Sequence, residues 1–256
     1  MYCWICGKKA DSREHTIKKS DVIRAHGKGP YQGDNSVAHI KWDGTKTLIQ
    51  GPDSKRIKYS PSLCQKCNGT YTQPFDRAYD IFIEYIYKNE DLILKKRFIN
   101  FADVYGTDNF EVGQRNLYKY FAKSFGCRLY DAGVTVPDDI ISLLGKEHFE
   151  TGLLINFSVH EDILRFPNEI RDGFIGKGNL LSNMDERSKP IFKSFSWNEH
   201  VSWLTVSYWY LEYPYGGLGS IWIADNQFIY LGSKQVLSKE QIQQLEELQK
   251  DYNSAN

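Results

Sequence analysis

The sequence has no excess of either charge: 32 Lys and Arg stand against 32 Asp and Glu in 256 residues. A neutral chain does not announce a nucleic-acid partner, which usually needs a basic surface. No apolar run approaches the ~20 residues that cross a bilayer, so a helical membrane span is excluded. The start, Met1-Tyr2-Cys3-Trp4-Ile5-Cys6, lacks the basic residues and long apolar stretch of a secretion signal. A cytoplasmic, reducing setting is therefore expected. Internal repeats and low-complexity segments are absent as well, which leaves no repeat array. Hydrophobic residues at 41% and charged residues at 25% are ordinary globular values, so bulk disorder is excluded. At about 100–200 residues per domain, the length suits one large or two small domains.

The neutral total conceals a split. Residues 1–77 hold 14 basic and 7 acidic residues, a net +7, and residues 78–256 carry −7. Such asymmetry between segments is itself a signal.

Five cysteines are present, and four fall in two pairs, Cys3-x-x-Cys6 and Cys64-x-x-Cys67. This spacing lets both thiolates of a knuckle face one ion, and two knuckles complete a tetrahedral zinc site. In a reducing compartment, metal binding outranks disulfides. The 57 residues between the pairs exceed the ~15–20 of a compact zinc module, so an insertion lies between the knuckles. Zinc held by four thiolates has no open position, and any chemistry needs a second site. Cys127 stands alone and reads as a core residue.

Along the chain, a short strand is expected at Glu14-His15-Thr16-Ile17 after the first knuckle. Residues 18–60 are polar and turn-rich, with short strands at Val37–Ile40 and Thr47–Ile49. Phe75, Ala78, Tyr79, Phe82, Ile83 and Ile86 recur at helical steps through Lys88, with Pro74 in the first turn. Cys67 to Gln73 then forms a separate short helix. Residues 91–131 read as mostly helical, and Asp138 to Leu144 as one more helix. Strands are expected over Leu153–Val159, Gly173–Leu181, Ile191–Phe195, Ser202–Glu212 and Ser220–Tyr230, rich in aromatic residues. Ser238 with Gln241 forms a capping box for a helix running to Asp251.

The order Cys3-x-x-Cys6, then Glu14-His15, then Leu63-Cys64-Gln65-Lys66-Cys67-Asn68 resembles the zinc-bearing branch of the HNH nucleases, the ββα-metal fold. The resemblance covers residues 1–88. It implies an α+β protein, with an HNH-like zinc-stapled nuclease domain over 1–90. An α+β accessory domain with an aromatic-rich antiparallel sheet would occupy 91–256. It implies that His15 is the general base and Glu14 a ligand of a catalytic magnesium or manganese ion. Asn68 would be a second ligand or positioning group, and the zinc would be structural. Histidine titrates near neutrality, as water activation requires, and a hard cation on oxygen ligands stabilises phosphate charge. Lys18, Lys19, Arg24, Lys55, Arg56 and Lys58 would line the phosphate path. Adjacent strand residues face opposite ways, so a strand end or distortion is expected at Glu14-His15. Tyr59 stands where family members carry an asparagine that orients the histidine. Thr72, Gln73 and Asp76 are the nearest polar candidates for a further ligand.

The implied activity is hydrolysis of DNA, in preference to RNA. The second region is open to target choice, a protein partner or homodimerisation. HNH proteins of this kind occur in restriction, phage defence and mobile elements. Plainer readings stand beside these. Asn68 serves equally as a helix cap, and the lysines as a solvated face. His26, His39, His148, His160 and His200 read as structural or solvated. Without Glu14 and His15 in action, the chain is a zinc-ribbon nucleic-acid binder. A regulator whose aromatic sheet binds a ligand is the third reading, against a plain hydrophobic core.

Overall fold

The long apolar face read at residues 75–86 forms α2 (Gln73–Lys88), and Phe75, Ala78, Tyr79, Phe82, Ile83 and Ile86 are all buried. In the computed structural model, which describes residues 1–41, 44–146, 150–182, 194–211 and 222–243, this helix packs on α5 (Phe110–Asp131). Tyr79 stacks on Tyr120 with ring centroids 4.0 Å apart. The opposite side of α5 faces a sheet, where Phe125 stacks on Tyr208 at 5.9 Å. Thirteen of its 22 residues are buried, Gln114, Lys119, Lys123 and Ser124 among them, so α5 is the central element.

The remaining elements surround this axis. α1 (Lys19–His26) precedes a hairpin of β1 (Val37–Ile40) and β2 (Lys46–Ile49). A single π-helical turn, Cys67–Tyr71, leads into α2, with Pro74 in its first turn as read from the sequence. α3 (Glu90–Lys96), β3 (Phe98–Asn100) and α4 (Phe101–Tyr105) lead to α5, followed by α6 (Asp138–Leu143). β4 (Leu153–His160), α7 (Asn168–Arg171), β5 (Ile175–Lys177), β6 (Leu181–Ser182), β7 (Ser194–Val201) and β8 (Leu204–Leu211) come next. β9 (Phe228–Tyr230) and β10 (Gly232–Lys234) complete the strands. The sheet order is β10-β4-β8-β7-β5, with β6 also on β7, and β9 pairs with β3 instead.

Several expectations change. α1 lies in a segment read as turns; its only buried apolar residue is Val22, too little for a periodic signal. The sheet is antiparallel except at its edge, where β10 lies parallel to β4. The strand expected to end at Phe195 runs to Val201. Phe195, Trp197, Glu199 and Val201 face inward, and polar residues alternate with them, so no apolar run marks it. Ser202 belongs to the turn before β8 and has φ 52°. The capping box holds: Gln241 N donates to Ser238 Oγ at 3.3 Å and Ser238 N to Gln241 Oε1 at 2.9 Å. Residues 191–193, 212–221 and 244–256, and with them the ends of three expected strands and most of the last helix, lie outside the described residues, as does His148.

One buried cluster runs from Cys3 and Trp4 through α2 and α5 to Trp197, Trp203, Tyr208 and Trp222 in and beside the sheet. The boundary expected at residue 90 therefore crosses a shared core. A smaller cluster of Val22, Tyr31, Ile49 and Ile57 holds the hairpin to α1. Among the described residues, no helix is long and apolar enough to cross a membrane.

Candidate active site

The two knuckles meet. The ligand atoms of Cys3, Cys6, Cys64 and Cys67 all lie within 4.8 Å of one another, with Cys6 Sγ 3.7 Å from Cys64 Sγ. Cys64 accepts the N–H of Cys67 at 3.4 Å. That backbone dipole draws its thiol down to about 7, whereas burial pushes Cys3 and Cys67 up. Four convergent sulfurs on short turns fit a zinc ion, whose charge stabilises all four as thiolates. Such an ion braces the fold and has no open position for chemistry.

The knuckles carry residues 12–16 alongside residues 57–63. His15 pairs with Lys58 in regular antiparallel geometry: Thr16 N donates to Ile57 O at 2.8 Å and Tyr59 N to Glu14 O at 2.9 Å. The strand expected over Glu14–Ile17 is reduced to this isolated bridge, with Thr16 and Ile17 in a bend, so a strand end does fall at Glu14-His15. The next bridge joins Ser12 to Leu63, three residues back on one strand and five on the other. The surplus lies in 59–62, where Pro61 has no N–H for a ladder. Tyr59 is buried, and burial raises its phenol well above the usual range.

At this extended bridge, Glu14 and His15 diverge. Glu14 turns inward to Lys123 of α5, at 3.3 Å. Asp76 of α2 takes the same ammonium at 3.0 Å and that of Lys18 at 2.5 Å. Lys123 is 1% exposed. Burial alone would lower its pKa, but Glu14 and Asp76 outweigh that and hold it above the usual lysine value. Asp76, opposed by burial but drawn down by Lys123 and Lys18, stays ionised. Two acids and two ammonium groups thus balance.

His15 turns outward to Asp53, with Nε2 3.5 Å from Oδ1. Lys58 approaches the same oxygen at 3.4 Å, and Lys19 binds Oδ2. His15 Nε2 is buried without a hydrogen bond. Burial and the Lys58 charge depress the His15 pKa, so the ring is neutral at pH 7. The Lys19 and Lys58 ammonium groups hold Asp53 below the usual carboxylate value.

Asn68 sits at the start of the π-turn. Its Nδ2 donates to Ser12 Oγ at 2.9 Å and to the Arg13 carbonyl at 3.5 Å. Asn68 therefore ties the second knuckle to the strand bearing Glu14. Among the described residues, the cysteines are the one group of three or more His, Cys, Asp or Glu close enough to hold a metal. Glu14 lies on the Lys123 ammonium, whose charge opposes a cation beside it, so the arrangement does not fit a second, divalent cation.

The basic residues divide likewise. Lys18 faces inward, over the Tyr120 ring at 5.2 Å, and Arg24 pairs with Asp21 at 2.7 Å. Arg56 is exposed and donates to Leu48 O at 2.8 Å, and Lys55 is exposed. Sequence reasoning missed Lys123 and Asp53. Lys123 had a signal, a lysine on the same helical face as Tyr120 and Cys127. Asp53, in the turn Gly51-Pro52-Asp53-Ser54, had none. Cys127 is buried as read, and burial pushes its thiol up to about 12.

No family model, curated protein or solved structure matches the chain.

Proposed function

We propose that the protein is a zinc-stapled endonuclease of the HNH kind that hydrolyses phosphodiester bonds of DNA. The observation that carries this reading is the setting of His15. A neutral imidazole stands between the ammonium groups of Lys19 and Lys58, on a strand fixed by the two knuckles. A neutral imidazole accepts a proton from an attacking water. Two ammonium groups beside it favour an anionic phosphate and offset charge developing on it. Lys55 and Arg56 extend the positive surface along the backbone of a duplex. Magnesium or manganese on Glu14 and Asn68 requires Glu14 to leave Lys123, so the proton transfer rests here on His15 and the lysines alone.

Purified, zinc-loaded protein should nick plasmid, assayed with magnesium, with manganese and with neither. His15→Ala should lower the rate at least ~100-fold with zinc content and circular dichroism unchanged. Protonation removes the base, and its pKa lies below the ordinary 6.5. The rate should therefore hold at neutral pH and fall only on acidification below about 6.5. Cutting by His15→Ala at the wild-type rate would refute the assignment.

A second reading, a non-catalytic zinc-stapled nucleic-acid binder, is favoured by the engagement of Glu14 and Asn68 in structural contacts. It predicts binding without nicking under every metal condition.

A further inference from the structure

Three side-chain nitrogens from three separate segments surround one exposed carboxylate. His15 and Lys58 are cross-strand partners, and Lys19 opens α1. Asp53 Oδ1 lies 3.5 Å from His15 Nε2 and 3.4 Å from Lys58 Nζ, while Lys19 takes Oδ2. Asp53 comes from none of these elements. It stands on a turn closed by Ser54 N donating to Gly51 O at 3.1 Å, and its side chain is 59% exposed. Beneath it, His15 Nε2 is shut off from water and has no hydrogen-bond partner. The floor of the site is thus a buried ring nitrogen flanked by two partly exposed ammonium groups, and its cover is a surface carboxylate.

We propose that His15, Lys19 and Lys58 form a binding site for the phosphodiester group of a nucleic-acid backbone, and that Asp53 is its internal stand-in. A carboxylate and a phosphodiester each carry one negative charge and present two oxygens to donors. Exchanging one for the other keeps the charge of the site. Exposed ion pairs contribute little each, so the turn yields to an incoming phosphate while the floor stays in place. The exchange uncovers His15 Nε2 as the phosphate arrives. The site is closed when empty and opens with its ligand. This inference rests on the proposed nuclease site, and a binding assay separates the two.

The assay uses full-length, zinc-loaded protein and a fluorescent short duplex, without added divalent cations, with inorganic phosphate as competitor. Asp53→Asn keeps the shape of the turn and removes the charge. It should bind the duplex about fivefold more tightly than wild type, and phosphate should compete at lower concentration. Replacing both Lys19 and Lys58 by Ala should weaken binding about tenfold or more and abolish the gain from Asp53→Asn, because the pair acts through one site. Asp34→Asn, at an exposed acid in the same basic segment, is the control for net charge and should stay within about twofold of wild type. The proposal is overturned if Asp53→Asn binds no more tightly than wild type. It is equally overturned if the gain survives loss of both lysines, or if Asp34→Asn gives the same gain. Competition by phosphate with no gain in duplex affinity would place a free anion, and no backbone, in the site, and overturns it too. Tight binding by Asp53→Asn without plasmid nicking by wild type would sink the nuclease reading and leave this one standing.

Discussion

Lys123 is the residue on which most of the buried electrostatics turn. Its ammonium is closed off from water between Glu14, from the strand after the first knuckle, and Asp76, from α2. Removing one partner of a buried ion pair costs about 3–5 kcal/mol, because the other charges stay desolvated and unpaired. Lys123→Ala leaves Glu14 without a counter-charge, while Asp76 keeps Lys18, and should lower the unfolding free energy by about that amount. Urea denaturation at saturating zinc measures it, and a loss below about 1 kcal/mol would show that water replaces the ammonium. The same contact explains why Glu14, the residue most readily singled out as a cation ligand, is spent. Residue chemistry was legible where spacing carried it: two knuckles, a Glu-His pair, an asparagine after the last cysteine. It was not legible where partners come from distant elements. Glu14 and Lys123 are 109 positions apart in the chain, and only the packing of α5 brings them together.

At the scale of elements, α2 was readable because one apolar face repeats at helical steps and the other is polar. α5 was readable as helical but its central place was not, since both faces are covered and no polar stripe marks its orientation. β7 escaped because Ser196, Asn198 and His200 alternate with its buried residues. The contact between α5 and the first knuckle depends on a glycine. A Cβ at Gly126 would lie 2.7 Å from the Trp4 ring, and Trp4 is held between Cys3 and Cys6. Gly126→Ala adds helix propensity of about 1 kcal/mol, but overpacking costs about 1–3 kcal/mol. With Trp4 fixed by the knuckle the clash should win, so thermal unfolding should move to lower temperature. A rise in melting temperature would mean that Trp4 swings aside.

For the whole molecule, the zinc centre and the sheet share one core, with Cys3, Cys64 and Cys67 in the same buried cluster as Trp197 and Tyr208. Removing the metal should therefore weaken the full fold and not just the first third. Chelation, or Cys64→Ser, should lower the melting temperature of both far-ultraviolet ellipticity and tryptophan fluorescence together. Separate transitions would instead show two independently stable halves, as a division at residue 90 requires. The charge split fits this picture. In the basic first third the inward ions are balanced, and of the outward ones Lys19 and Lys58 meet at Asp53 beside His15.

The hydrogen bond from the Tyr130 hydroxyl at the end of α5 to the Tyr2 carbonyl, at 2.9 Å, has a consequence for the order of folding. Tyr2 finds this neighbour 128 positions further along the chain. Cys3 and Cys6 must wait for Cys64 and Cys67, and Trp4 must wait for Gly126. Until then the leading knuckle is a pair of free thiols beside an uncovered indole. Contacts this far apart in sequence form slowly, so the leading knuckle is among the last parts to reach its final form.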